Sequence, residues 1–460
     1  MLKSNPEKQS ALFVATLASF LTPFMGASLN IALPQMGNEF SMDSATLNWV
    51  ATSYLLAAAI FLVPFGKMAD IHGRKKVFLL GIIIYTISSF TTAIAPNVLI
   101  LLSSRVIQGM GGAMIYSTGI AILTSVFPVS ERGKVLGINV AAVYLGLSLG
   151  PFLGGLLTEY LGWRSIFWIN IPLGLIIITS ILLFLKGEWA EAIGERFDLL
   201  GSLIYGLGLL LFMYGLSLLP AMNGFILTLL GVIILILFIR REISISYPIL
   251  DIRLFKHNTV FAFSNLAALI NYSATFASGF LLSLYLQYIH SLSPIQAGMI
   301  LVAQPIMMTV FSPVAGRISD KIEPVIVASI GMALTAIGLC FFIFLKENTS
   351  HSYIIMGLIV QGLGFALFSS PNTNAIMSSV EKRFYGVASS TTGTMRLVGQ
   401  MISMGIVFLI FNFYIGKKSF QADIFPELLV SIKVLFLLFT ALCTLGVFAS
   451  LARGKLNRLP

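Results

Sequence analysis

Acidic residues are scarce in this 460-residue chain, eighteen Asp and Glu against twenty-eight Lys and Arg, and histidine and cysteine are scarcer still, at four and two. Each shortage excludes something. With 10% charged residues and a mean hydropathy of +0.94, the chain stands far from the roughly 25% charge of soluble domains, so a water-soluble fold is excluded. Cys340 and Cys443 fall in the middle of apolar runs, where no disulfide framework is expected. His72, His257, His290 and His351 fall between such runs, which excludes a histidine relay across a bilayer and leaves no cluster to hold a metal. No His/Glu or Ser/His constellation sits at bilayer depth either, so an enzyme is not expected, nor is any cofactor.

What the chain has in abundance is apolar length. Hydrophobic residues make up 57% of it, in runs close to the roughly 20 residues that cross about 30 Å of hydrocarbon as a helix. Runs such as 225–239 are apolar on every face, whereas the strands of a membrane barrel alternate. The pattern predicts an all-α polytopic membrane protein with fourteen spans, near 11–33, 46–66, 77–95, 98–125, 135–157, 164–186, 198–219, 222–241, 259–288, 296–316, 324–345, 351–376, 386–414 and 428–452. The first ten residues are polar and the run after them lacks an A-x-A cleavage pattern, so span 1 is expected to be retained.

Charge is sorted among the loops. Those holding Gly66–Lys76, Arg132 and Lys134, Arg240–Lys256, Arg317 and Lys321, and Lys382 and Arg383 alternate with loops poor in positive charge. The terminal Lys3, Lys8, Arg453, Lys455 and Arg458 fall with the basic set, while Arg164, Lys346, Lys417, Lys418 and Lys433 flank the other side. The positive-inside rule therefore predicts a protein of the cell membrane with both termini cytoplasmic. Topology alone accounts for the net charge of +10, and no nucleic-acid partner is expected.

The chain also repeats itself. Gly66-Lys67-Met68-Ala69-Asp70 returns as Gly316-Arg317-Ile318-Ser319-Asp320, and Val106-Ile107-Gln108-Gly109-Met110-Gly111 as Ile359-Val360-Gln361-Gly362-Leu363-Gly364, at offsets of 250 and 253. Two related halves are predicted, a six-helix bundle over 1–190 and another over 251–460, with two additional spans in 191–250. Parallel repeats around a midplane site are the plan of many secondary transporters.

Four stretches carry a resemblance to a known family. Gly66–Lys76 is similar to a G-x-x-x-D-x-x-G-R-K/R-K/R loop signature, Arg105-Val106-Ile107-Gln108-Gly109 to a span 4 signature, GLSLGPFLGG (146–155) to the span 5 signature of antiporters, and GWRSIFWINIP (162–172) to fourteen-span members. By these the sequence resembles the major facilitator superfamily, in its fourteen-span drug:proton antiporter branch, over nearly its whole length. The resemblance implies export of small amphipathic molecules by alternating access, with a small-molecule substrate, membrane lipid and a coupling proton as partners and a monomer as the working unit.

The resemblance further implies a cytoplasmic gate in which Asp70 meets the N-terminus of span 13, near Gly386, Gly66 and Gly73 permit close approach or a tight turn, and Arg74 pairs with Asp70 or Glu131. Asp320 would form a weaker counterpart, because Lys321-Ile322-Glu323-Pro324 lacks the glycine and the basic run. In span 5, Gly146, Gly150 and Gly154 share one face, with Gly155 beside them, and Pro151 frees the Leu147 carbonyl so that the helix can bend. Arg105 and Arg396 fall about 10 and 15 Å deep, where an arginine is expected to face a wet cavity or partners. Gln108, Gln361, Asn30, Asn271 and Gln304 are neutral candidates for the same cavity. Met25 stands where many family members carry a carboxylate, and none of the eighteen acids falls within a hydrocarbon core. Proton coupling would then use Asp70, or Glu39 and Asp43 near the outer mouth, and neutral or anionic substrates are expected over permanent cations.

Overall fold

The structure is a computed structural model that describes residues 6–42, 44–292, 294–414 and 425–454. The charges of Lys3, Asp43, Lys417, Lys418, Lys455 and Arg458 lie outside the described residues, and so does the side chain of Asn30. Among the described residues there is no strand, and fourteen helices are long and apolar enough to cross a membrane. In chain order, spans 1 to 6 are Pro6–Leu29, Thr52–His72, Arg74–Ala93, Val98–Val126, Val129–Leu161 and Ser165–Phe184. Spans 7 and 8 are Leu199–Leu216 and Met222–Ser244. Spans 9 to 14 are Thr259–Ile289, Gln296–Lys321, Pro324–Ile343, His351–Ser378, Lys382–Phe411 and Phe425–Leu451.

The repeat is visible in local structure. Span 4 is capped by Asn97, whose side chain accepts from the Ile100 N–H, and span 12 by Ser350, which accepts from the Tyr353 N–H; the two caps stand 253 residues apart. Within the first half, span 1 packs on span 5, and spans 2 and 3 on span 4; within the second, span 9 packs on span 13, and spans 10 and 11 on span 12. The halves are joined chiefly by span 2 with span 13 and span 5 with span 10, flanked by span 4 with span 13 and span 12 with span 5. They exchange under the repeat, which gives the joint its approximate twofold character.

Span 10, expected to end near 316, stays helical through Lys321, and the boundary between spans 2 and 3 differs as well. Residues 67–76 were expected to form a loop, but span 2 stays helical to His72 and span 3 begins at Arg74. Gly73 alone turns the chain, at φ 114°, in a region where a side chain would be strained. Asp70 thus rides on a helix end, which fixes its direction.

Spans 7 and 8 pair through close glycine contacts, at Gly215 against Thr228 and at Gly231 against Phe212. Span 8 turns Leu229, Ile233 and Leu237 outward, as expected of a lipid-facing helix. Span 7 is placed differently. It lies against spans 2 and 13, and the Tyr205 hydroxyl is 3.1 Å from Thr394 Oγ1 and 3.5 Å from the Ala59 carbonyl, touching both halves at once.

Candidate functional site

The Asp70 carboxylate is wholly buried at the end of span 2. Its Oδ1 accepts from the Gly386 N–H at 2.9 Å and its Oδ2 from the Val387 N–H at 3.1 Å. Both donors lie in the first turn of the helix Tyr385–Tyr414, where backbone N–H groups have no acceptor within the helix. Arg74 adds Nε and Nη2 to Oδ1 at 2.9 and 2.6 Å, and its Nη1 donates to Ser125 Oγ at 2.7 Å. A further bond from Arg74 reaches the Lys382 carbonyl of the other half, and the guanidinium lies 5.2 Å from the Tyr385 ring. Glu131, the other expected partner of Arg74, instead takes Lys8 at 3.0 Å, since the guanidinium is already enclosed by Asp70, Ser125 and Lys382. A Cβ on Gly66 would fall on Ser390 and within 2.6 Å of the Gly386 carbonyl, so the bare glycine is what lets spans 2 and 13 meet.

Asp320 repeats the arrangement on the other diagonal. Its Oδ1 accepts from the Gly133 N–H at 2.7 Å and its Oδ2 from the Lys134 N–H at 2.9 Å, both at the start of span 5. Gly133 and Gly316 face each other so closely that a Cβ on either would strike the other's carbonyl. One turn along, a Cβ on Gly137 would come within 2.5 Å of the Ser312 carbonyl. Both carboxylate contacts lie at the end of the bundle that carries the basic loops.

A strap that sequence reasoning missed crosses this end. The segment after span 6 bonds to the turn between spans 2 and 3: Ala192 N–H to the Asp70 carbonyl at 3.0 Å, Arg74 N–H to the Trp189 carbonyl at 2.9 Å, and Lys75 N–H to Glu188 Oε1 at 2.9 Å. Lys67 is ion-paired with Glu195. The signal was present, since residues 186–198 carry Glu188, Glu191, Glu195 and Asp198, opposite in sign to the turn they cover.

The glycine strip of span 5 faces its own half. Cβ atoms on Gly146, Gly150 and Gly154 would come within 2.6 Å of the Phe20 carbonyl, 2.5 Å of Ala27 Cβ and 2.6 Å of Ser28 Cβ, all on span 1. Ser28 Oγ donates to the Gly150 carbonyl at 2.9 Å, beside Pro151, and Gly155 is half-buried on the neighbouring face. Contact with the other half is carried by Gly133 and Gly137, a separate pair earlier on the same helix, nine residues out of register with the strip and so on the opposite face.

Between the halves lies a cavity of about 40 Å³ lined by spans 1, 4, 5, 9, 12 and 13. That is room for a few waters, at about 10–15 Å³ each on this measure, and far too little for a drug-sized molecule. Arg396 lines it, with its guanidinium 5.7 Å from the Tyr272 ring. Arg105 does not, and its expected cavity role is corrected. Its Nε donates to the Val50 carbonyl at 2.9 Å, it also bonds Gln108 Oε1, and the Tyr54 ring stands 4.7 Å away, all within the first half. Gln108 passes the chain on to Ser89 Oγ at 2.8 Å, and Gln361, its repeat counterpart, donates to Ser278 Oγ at 3.1 Å; neither lines the cavity. Met25 is buried away from it too, and its Sδ accepts from Asn170 Nδ2 at 3.1 Å. At the far end, Glu39 accepts from Arg164 and from Trp163 Nε1, each at 2.7 Å, and the Arg164 guanidinium holds its carboxyl below the usual value.

Two helical halves related by an internal repeat meet around a small cavity between them, the plan of many secondary transporters. The sequence profile of the Major Facilitator Superfamily matches residues 15–248 and 264–457, and the chain belongs to that family. It is 33% identical over 395 residues, 85% of each chain, to the riboflavin transporter RibZ of Clostridioides difficile. It is 28% identical over 403 residues, 86% of this chain and 73% of the relative, to the tetracenomycin C resistance and export protein of Streptomyces glaucescens. The proton:xylose symporter XylE has the same fold, with a TM-score of 0.69 at 13% identity over 96% of this chain and 94% of that one.

Proposed function

We propose that the chain exports small amphipathic molecules across the cell membrane by alternating access, in exchange for protons, with both termini in the cytoplasm. The observation that carries this is the pair of carboxylate contacts, Asp70 on span 13 and Asp320 on span 5. Each ties one half to the other at the basic end, and neither survives if those ends part, so they would stabilise a state closed to the cytoplasm and break when it opens. The moving bodies would be 1–190 and 251–460, with 191–250 as an insert. Both halves belong to one chain, so a monomer suffices. The span 5 strip, similar to that of exporters, and the likeness to a protein named for export support the outward direction. Glu39, held ionised by Arg164, is a poor proton carrier at neutral pH, which leaves Asp70, and Asp43 outside the described residues, as the carboxylates for coupling.

A second reading, uptake or uniport of a small neutral or anionic solute, is favoured by the likeness to a riboflavin transporter. Flux in proteoliposomes, with pH and voltage gradients imposed separately, distinguishes the two. Export coupled to protons requires substrate to accumulate on the side from which protons leave. Movement with the protons, or movement indifferent to the pH gradient, overturns the proposal.

A further inference from the structure

The cavity has a chemical character of its own. No carboxylate is among its lining residues, and its one lining cation is Arg396. Glycines flank that arginine at i−3 and i+3. A Cβ on Gly393 would come within 2.5 Å of the Tyr116 ring, and one on Gly399 within 2.9 Å of Tyr272 Cβ, so the bare positions are what admit both tyrosines beside the guanidinium. Tyr144 completes the set, and Phe365 packs edge-on against Tyr144 at 5.8 Å and against Tyr272 at 5.5 Å. On span 5, Asn139 is 3% exposed, lines the cavity, and its Oδ1 has no hydrogen-bond partner. A buried, orphaned amide oxygen is costly, of order 1–3 kcal/mol, unless something donates to it. Arg453 adds a second positive charge one residue away from the cavity, through Nη1 to Asn372 Oδ1 at 2.5 Å.

The geometry points to a specific ligand class: a planar aromatic compound with an anionic or strongly accepting group that meets Arg396, and a hydrogen-bond donor at its opposite edge that meets Asn139. The rings of Tyr116, Tyr144 and Tyr272, which line the cavity, supply flat surface for the ligand's own ring, and Phe365 backs two of them. A guanidinium donates two parallel bonds to two oxygens of one anionic group, whereas an ammonium in the same place would meet a like charge with no carboxylate to offset it. Because the closed cavity holds about 40 Å³, the ligand enters only when the halves part, and Arg396 and Asn139, on opposite halves, then close upon it. Both residues would therefore be specificity determinants. This rests on the transport reading above but not on the direction of transport.

The test is equilibrium binding to the purified full chain in detergent, with one ring system in four forms: 6-hydroxynaphthalene-2-sulfonate, naphthalene-2-sulfonate, naphthalene-2-sulfonamide and (2-naphthylmethyl)trimethylammonium. The hydroxy-sulfonate should bind at least about tenfold more tightly than the quaternary amine. Arg396→Gln should weaken both sulfonates about tenfold and leave the sulfonamide within about twofold, which also reports that the variant is folded; Arg396→Lys should fall between. Asn139→Leu should erase the advantage of the hydroxyl while keeping the preference for the sulfonate. Equal or tighter binding of the quaternary amine by the wild type overturns the inference, as does unchanged sulfonate binding in Arg396→Gln. If the sulfonates bind as expected but liposome flux runs with the proton gradient, only the export reading fails; if flux is outward but cations are preferred, only this one does.

Discussion

Asp70 and Asp320 stand 250 residues apart, and each accepts two backbone N–H bonds from the start of a helix in the opposite half, yet the residue four positions on is Arg74 in one case and Pro324 in the other. A carboxylate on a helix N-terminus is worth about 0.3–1 kcal/mol, and up to ~2 when partly buried. Such a contact can be made and broken within a transport cycle. The first copy adds a guanidinium, itself fully buried, and an acidic strap across the turn, so its rupture strips a buried ion pair of its geometry as well. Proline in the second copy opens span 11 at its first position, where a missing N–H costs nothing. The comparison suggests that one diagonal of the joint is a latch and the other a lighter contact of the same design.

The largest expected effect comes from breaking the latch. Asp70→Asn preserves shape but leaves Arg74 buried without its counter-ion, and removing one partner of a buried pair costs about 3–5 kcal/mol. At ~1.4 kcal/mol per tenfold, the closed population should fall by more than about a hundredfold. Transport should drop below about a tenth of wild type at unchanged abundance, and spin-label distances across the basic end should lengthen. Normal transport by Asp70→Asn would reduce the turn to a determinant of topology.

Packing inside one half must be separated from closure between halves. Gly150→Leu would drive a side chain into Ala27 on span 1, and overpacking costs about 1–3 kcal/mol. The variant should lose thermal stability and abundance in that measure, while the lipid-side Ile233→Leu stays at wild type. If Gly150→Leu folds normally and instead changes the spin-label distances across the basic end, the strip is a moving surface after all.

The lighter diagonal should show a smaller loss. Asp320→Asn removes a charge from the start of span 5, so the closed state should weaken by no more than about 2 kcal/mol, roughly thirtyfold. Transport should fall severalfold, less than in Asp70→Asn. An equal loss in both would mean that Arg74 adds nothing to the first contact.

The fourteen spans and the repeat could be seen in the sequence because length and period survive without packing detail. Rotation about a helix axis could not. Arg105 and Arg396 look alike by depth, but Arg105 has Gln108 three residues on as a local acceptor and turns inward, whereas Arg396 has glycines at the same distance and is met by rings from other spans. In a span that is apolar all round, no periodicity says which face meets which neighbour. Asn139 was passed over for the same reason: a single amide in an apolar helix gains meaning only when nothing is found to bond its oxygen. The resemblance left Arg74 a choice of Asp70 or Glu131, and only the positions of Lys8 and Ser125 decide between them.

The smallest effect tests whether the strap belongs to the latch. Lys67 and Glu195 form an ion pair whose side chains are 6% and 24% exposed, so neither is fully removed from solvent. Pairs of this kind contribute about 0.2–1 kcal/mol, which sets an upper limit near fivefold on what their loss can do to the closed population. Lys67→Gln and Glu195→Gln should each slow transport by less than that factor, and because each removes the same pair, the double variant should be no worse than either alone. The strap's backbone bonds, from Ala192 to the Asp70 carbonyl and from Arg74 to the Trp189 carbonyl, persist in all three variants and should keep the turn in place. High salt should reproduce the single variants in wild type, since a partly exposed pair is screened, and should leave the buried Asp70–Arg74 pair largely untouched. If the two single losses multiply in the double variant, Lys67 and Glu195 act separately, and the strap is merely adjacent to the latch.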